Sequence, residues 1–145
     1  MAKLRYVQFA NESACIDDVK RLEKGCKQGG NWSLGQACFH LNLPLESSLD
    51  NQSNASATPE QLQRQGFIDQ VIASGWPAGT ISPKEMVPPS NPGNTVEKLV
   101  ASLKRFESYK APQANTFVFG PVDTDKFRKF ILIHAGHHLS FFEPA

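Results

Sequence analysis

Little in this sequence can support disulfide or redox chemistry. Only three cysteines occur in 145 residues, Cys15, Cys26 and Cys38. They are odd in number, with no CxxC spacing and no dense framework. Reduced thiols in a cytoplasmic protein are the natural reading. Charge of one sign is lacking too: 15 Lys and Arg against 14 Asp and Glu leave a net charge of +1. No basic run interleaves with aromatics, so neither nucleic acid nor an anionic membrane is an expected partner. Apolar runs fall far short of the roughly 20 residues that cross a bilayer, and Met1 to Tyr6 lack the apolar core of an export signal. The Asn-x-Ser sequons at Asn11, Asn31, Asn51 and Asn54 therefore read as coincidence. There is no GxSxG, no Walker-type glycine loop and no dinucleotide fingerprint.

What is present suits one domain over residues 1–145, with 40% hydrophobic and 20% charged residues, long enough to bury a core without staples. Helical spacing of Ile16, Val19 and Leu22, less cleanly of Cys15 and Cys26, predicts a first helix over Ser13 to Cys26. Ser33 and Gln36 form a capping-box pattern before a second helix containing Pro44. The polar run Asp50 to Thr58 reads as a loop. Pro59 opens a third helix carrying Leu62, Phe67, Ile68, Val71 and Ile72.

Ser74 to Asn94 holds five of the ten prolines and no periodicity. Trp76, Ile81, Met86 and Val87 favour packing of this loop over disorder. Asn94 with Glu97 reads as the cap of a helix bearing Val96, Leu99, Val100, Leu103 and Phe106. Thr116 to Phe119 reads as a short extended piece, and a last helix is expected from Thr124 or Asp125 to about Phe142. Four principal helices or five, without strand-rich stretches, predict an all-α four-helix bundle.

Chemistry is concentrated in histidine. Three of the four, His134, His137 and His138, fall within Ile133 to Leu139, and the fourth is His40. Phe127, Ile131, His134 and His138 step along one helical face. His134 and His138 lie roughly 40° apart around the axis and form the better chelating pair, with His137 on the flank and His134 with His137 as the second choice. Pro44, one turn after His40, removes the amide partner of the His40 carbonyl. Three neutral imidazoles with an open position make a catalytic zinc site, which nickel or iron would also accept. The competing structural account is a set of histidines favoured by the helix C-terminal dipole. Cys38 lies on the opposite side of its helix from His40, and Cys15 and Cys26 read as core thiols. Glu46 and Glu143 are acid/base candidates that nothing singles out. Trp32, Phe39 and the long loop are candidate pocket walls.

The segments Asn31-Trp32-Ser33-Leu34-Gly35-Gln36-Ala37-Cys38-Phe39-His40-Leu41 and His134-Ala135-Gly136-His137-His138-Leu139-Ser140-Phe141-Phe142, in that order, resemble the DinB/YfiT-like superfamily of metalloenzymes, in one uncharacterised domain-of-unknown-function branch. The Trp-Ser-x-Gly-Gln-x-x-x-His pattern is the more specific part. The resemblance implies an up-down-down-up four-helix bundle and a divalent ion, zinc or nickel, on His40, His134 and His138. It also implies a hydrolase or thiol-dependent transferase acting on a small molecule such as a thiol conjugate, often as a homodimer. Ser74 to Asn94 departs from the compact superfamily plan. The opposing functional reading is a non-catalytic helical binding or scaffold domain with a vestigial or structural histidine site.

Overall fold

The computed structural model describes residues 3–50, 56–77 and 86–145. These described residues are mostly helical, with four short strands. Helix α1 (Glu12–Glu23) starts where the Asn11 side chain accepts the Ala14 amide at 2.9 Å. Its buried residues Cys15, Ile16, Val19 and Leu22 recur at helical spacing. The helix stops before Cys26, which lies instead on strand β1 (Cys26–Gln28).

Helix α2 (Leu34–Asp50) begins with the expected reciprocal cap. The Ser33 amide donates to Gln36 Oε1 at 2.9 Å, and the Gln36 amide donates to Ser33 Oγ at 3.2 Å. Pro44 is accommodated inside α2 rather than ending it. Helix α3 (Pro59–Ser74) has a full capping box between Thr58 and Gln61, and Gly75 at φ 81° closes it. A positive φ after the last turn favours glycine, which has no Cβ to be strained against its own backbone. The loop expected before α3 lies partly in 51–55, outside the described residues.

Helix α4 (Thr95–Glu107) turns Leu99, Leu103 and Phe106 into the core. Its expected cap is corrected: the Asn94 side chain makes no capping hydrogen bond. The buried Thr95 hydroxyl instead donates to the Gly35 carbonyl, joining the starts of α4 and α2.

Thr116 to Phe119 is not one extended piece. Strands β2 (Gln113–Thr116) and β3 (Gly120–Asp123) pair antiparallel, Gln113 opposite Asp123 and Thr116 opposite Gly120. The turn holds because the Phe119 amide donates to Thr116 Oγ1 at 2.8 Å. Amides from α3 also reach its carbonyls, Gln61 to Phe117 and Gln65 to Phe119.

Helix α5 (Thr124–Leu139) is capped by Asp123, whose carboxylate accepts the Lys126 amide. It ends three residues before the sequence pattern suggests. Phe142 begins strand β4 (Phe142–Pro144), which pairs antiparallel with β1, Cys26 opposite Pro144 and Gln28 opposite Phe142. Helix ends leave carbonyls without intrahelical donors, and here the N-terminal segment supplies them. The Leu4 and Arg5 amides donate to Ser140 O at 2.9 and 3.2 Å.

The core runs between the helices through Val19, Leu22, Leu45, Leu99, Phe106, Phe127 and Leu139. Among the described residues no helix is long and apolar enough to cross a membrane.

A candidate metal centre between α2 and α5

Two helices bring three of the histidines together. His40, on α2 one turn before Pro44, meets His134 and His138 from successive turns of α5. His40 Nε2 and His138 Nε2 each lie 3.0 Å from His134 Nε2. The ring centroids are 4.5–4.9 Å apart in near edge-on pairs. One donor atom from each of the three lies within 4.8 Å of the others, and His40 and His134 are buried.

Protonation follows from this geometry. His40 Nδ1 is 2.9 Å from the carbonyl oxygen of Met86. A carbonyl only accepts, so Nδ1 carries the proton, and in the neutral ring Nε2 presents a lone pair toward the cluster. Burial lowers the pKa of His40, with the Met86 bond opposing it. Burial, followed by its imidazole neighbours, pushes His134 well down. Burial, followed by the neighbouring imidazoles of His40 and His137 and by Lys3, brings His138 to about 2. All three rings are therefore neutral at pH 7.

Neutral rings cannot satisfy this arrangement by hydrogen bonding alone. If His134 Nε2 carries a proton, it serves one neighbour well and leaves the other nitrogen facing it without a shared proton. A common cation satisfies three lone pairs at once. Metal–imidazole bonds of about 2.0–2.1 Å hold two nitrogens on one ion roughly 3.0–3.4 Å apart. The observed 3.0 Å spacings fit that range.

Two tryptophans enclose the cluster. Trp32, just before α2, stacks on His138 at 5.5 Å and lies against His40 at 4.9 Å. Trp76, just after α3, stacks on His134 at 4.3 Å with planes 13° apart. Of the residues expected as pocket walls, Trp32 and, from the long loop, Trp76 lie against the imidazoles. Phe39 makes no ring contact with the imidazoles among the described residues. Met86 is buried and supplies the carbonyl to His40, while Val87 is exposed. Ile81, also expected to pack, lies outside the described residues.

A family model described as "Protein of unknown function (DUF1569)" matches residues 1–145. The chain belongs to the DUF1569 family. No curated protein and no solved structure matches it.

Other side chains singled out in this DUF1569 sequence stay away from the three nitrogens. Cys15 and Cys38 are buried, and burial is the main cause that raises both thiols to about 12, so neither is a nucleophile at neutral pH. Glu46 accepts a hydrogen bond from Asn42 Nδ2, and Glu143 is exposed on β4 opposite Lys27. His137 stands on the flank, as its angular position predicts. It stacks on Trp76 and meets His138 edge-on, and burial, with Lys3 as the next cause, lowers its pKa to about 4.

Sequence reasoning passed over Gly136, between the two α5 ligand candidates of this DUF1569 chain. A Cβ there would stand 2.8 Å from the Val7 carbonyl oxygen. A glycine inside a helix costs about 1 kcal/mol relative to alanine, and that anomaly was the available signal. Here it lets the N-terminal segment lie directly on α5. Gly136→Ala is expected to destabilise by about 1–3 kcal/mol despite its better helix propensity, as overpacked sites do. Amide exchange at Leu4 and Arg5 should accelerate as their bonds to Ser140 O are lost. Unchanged protection in the variant would contradict the close approach.

Proposed function

We propose that His40, His134 and His138 hold one divalent metal ion, zinc or nickel, through their Nε2 atoms. The protein then acts as a metal-dependent enzyme on a small-molecule substrate. The observation that carries this reading is the convergence of three neutral imidazoles, with the Nε2 atoms of His40 and His138 each at a spacing from His134 Nε2 that suits one ion. A bound ion of this kind supplies an activated water or thiolate, or polarises a carbonyl.

The protein's own contribution is positioning and protection. His40 is held in one tautomer by the Met86 carbonyl, a support that raises ligand basicity. Trp32 and Trp76 fix the ring planes and screen the nitrogens from bulk water. Three protein donors leave a coordination position for water or substrate, which distinguishes a reactive centre from a closed four-ligand structural site.

Likeness of the Trp32-to-His40 and His134-to-His138 motifs to the DinB/YfiT-like superfamily supports placing the chain there, with its helices in an up-down-down-up bundle. It also favours hydrolysis or thiol-dependent transfer, with a thiol or thiol conjugate as substrate. The vestigial form of the scaffold alternative predicts no stoichiometric ion.

Metal analysis separates the two. Untagged protein purified under metal-replete conditions should carry about one zinc or nickel ion per chain, and the His134→Ala/His138→Ala variant should carry essentially none. Equal metal content in the two would remove the basis of the enzyme reading.

A further inference from the structure

A second feature lies beside the imidazole cluster and does not depend on it. The N-terminal segment 3–10, the end of α3 and the C-terminal half of α5 flank a partly open cavity of about 670 Å³. That is within the range of small-molecule sites, roughly 300–1,000 Å³. Val71, Ile72, Trp76, Leu132 and Ile133 make its apolar wall. His40, His134 and His138 do not line it, whereas Trp76 does and also stacks on His134.

Among the described residues that line it, Lys3 is the only fully charged side chain, and none is an aspartate or glutamate. His137 lines the cavity as well, and its Nδ1 is buried with no hydrogen-bond partner among the described residues. Native proteins rarely leave a buried polar nitrogen unpaired, so each such atom points to a missing partner.

We propose that this cavity binds a small amphipathic carboxylate, its apolar body on the aliphatic wall and its carboxylate between the Lys3 ammonium and the His137 Nδ1–H. A dianion such as phosphate suits the site less. It has no apolar body to cover the wall of Val71, Ile72, Leu132 and Ile133. The segment 3–10 covers the ligand because Gly136 admits the Val7 carbonyl and Ser140 O holds the amides of Leu4 and Arg5.

Calorimetric titration of the full chain with octanoate, and with octan-1-ol as its uncharged counterpart, tests this. Octanoate should bind once per chain and about tenfold more tightly than octan-1-ol, since a charge-assisted hydrogen bond is the stronger kind. Lys3→Gln, at an exposed position that leaves the fold intact, should weaken octanoate by about tenfold and change octan-1-ol by less than about twofold. His137→Phe keeps a ring beside Trp76 but removes the donor, and should weaken octanoate alone. Affinities should be the same in chelator and in zinc-loaded protein, so a failure of metal binding leaves this result readable. Octanoate binding no tighter than octan-1-ol, or unaffected by Lys3→Gln, would overturn the proposal.

Discussion

Metal-free protein is expected to lose its fold in mild acid, over roughly pH 6.5 to 4.5. Burial is the leading cause for all four histidines, and it lowers each below the ordinary value of 6.5. The sign follows from linkage. A folded-state pKa below that of the unfolded chain means the unfolded chain takes up the proton first. Stability is then complete above pH 6.5 and declines as pH falls toward the folded values.

His137 at about 4 and His138 at about 2 stay neutral across this window while folded, and His134 is shifted in the same direction. His137 and His138 each remove up to about 1.4 kcal/mol per pH unit. Over two units these two alone remove about 5 kcal/mol, the low end of the whole stability of an ordinary domain, roughly 5–15 kcal/mol. Helical circular dichroism in the presence of chelator reads the transition directly. A chain still folded and cooperative at pH 4 would show that the imidazoles are not buried as described.

Replacing Arg5 is expected to destabilise by about 3 kcal/mol, well beyond the effect of an ordinary surface arginine. Its guanidinium forms a fork on Asp18, with bonds of 2.7 and 2.6 Å, and also donates to the carbonyls of Leu139 and Phe142. One side chain thus ties the N-terminal segment to α1, to the end of α5 and to β4. Asp18 is 3% exposed, so removal of Arg5 leaves a buried carboxylate short of partners.

Arg21 also reaches Asp18, at 2.9 Å, but its side chain is 63% exposed. Arg21→Ala should cost no more than about 1 kcal/mol. Chemical denaturation of the two variants checks the contrast, and equal losses would contradict it. Burial by itself would raise the Asp18 carboxyl, but the hydrogen bonds from Arg5 and Arg21 outweigh it and hold the pKa below its usual value. That part of the stability is present above about pH 4 and is lost as pH falls further, so it acts below the histidine window.

Where local rules decide structure, the sequence was readable. Ser33 and Gln36 cap α2 because their side chains satisfy amides within one turn, and Pro59 starts α3 because its missing amide is not needed there. Long-range contacts were not readable. Leu139 to Phe142 continues an apolar helical pattern, yet α5 stops at Leu139 and Phe142 enters β4, opposite Gln28 of β1 more than a hundred residues earlier. Three-residue strands carry too little periodicity to announce themselves. Asn94 has the right chemistry for a cap but does not make the bond, while Thr95 bonds to Gly35 across the interface.

By itself the sequence determined that the chain is mainly helical and that His134 and His138 share a helical face. Both follow from the 3.6-residue period and from capping, which act within a few residues. Only the tertiary structure decided that His40 meets that pair, that Met86 sets its tautomer and that Trp32 and Trp76 enclose the three rings. It alone brings Lys3 and His137 to one cavity wall. These are contacts between segments far apart in the chain, and their geometry depends on how the helices pack rather than on any local preference.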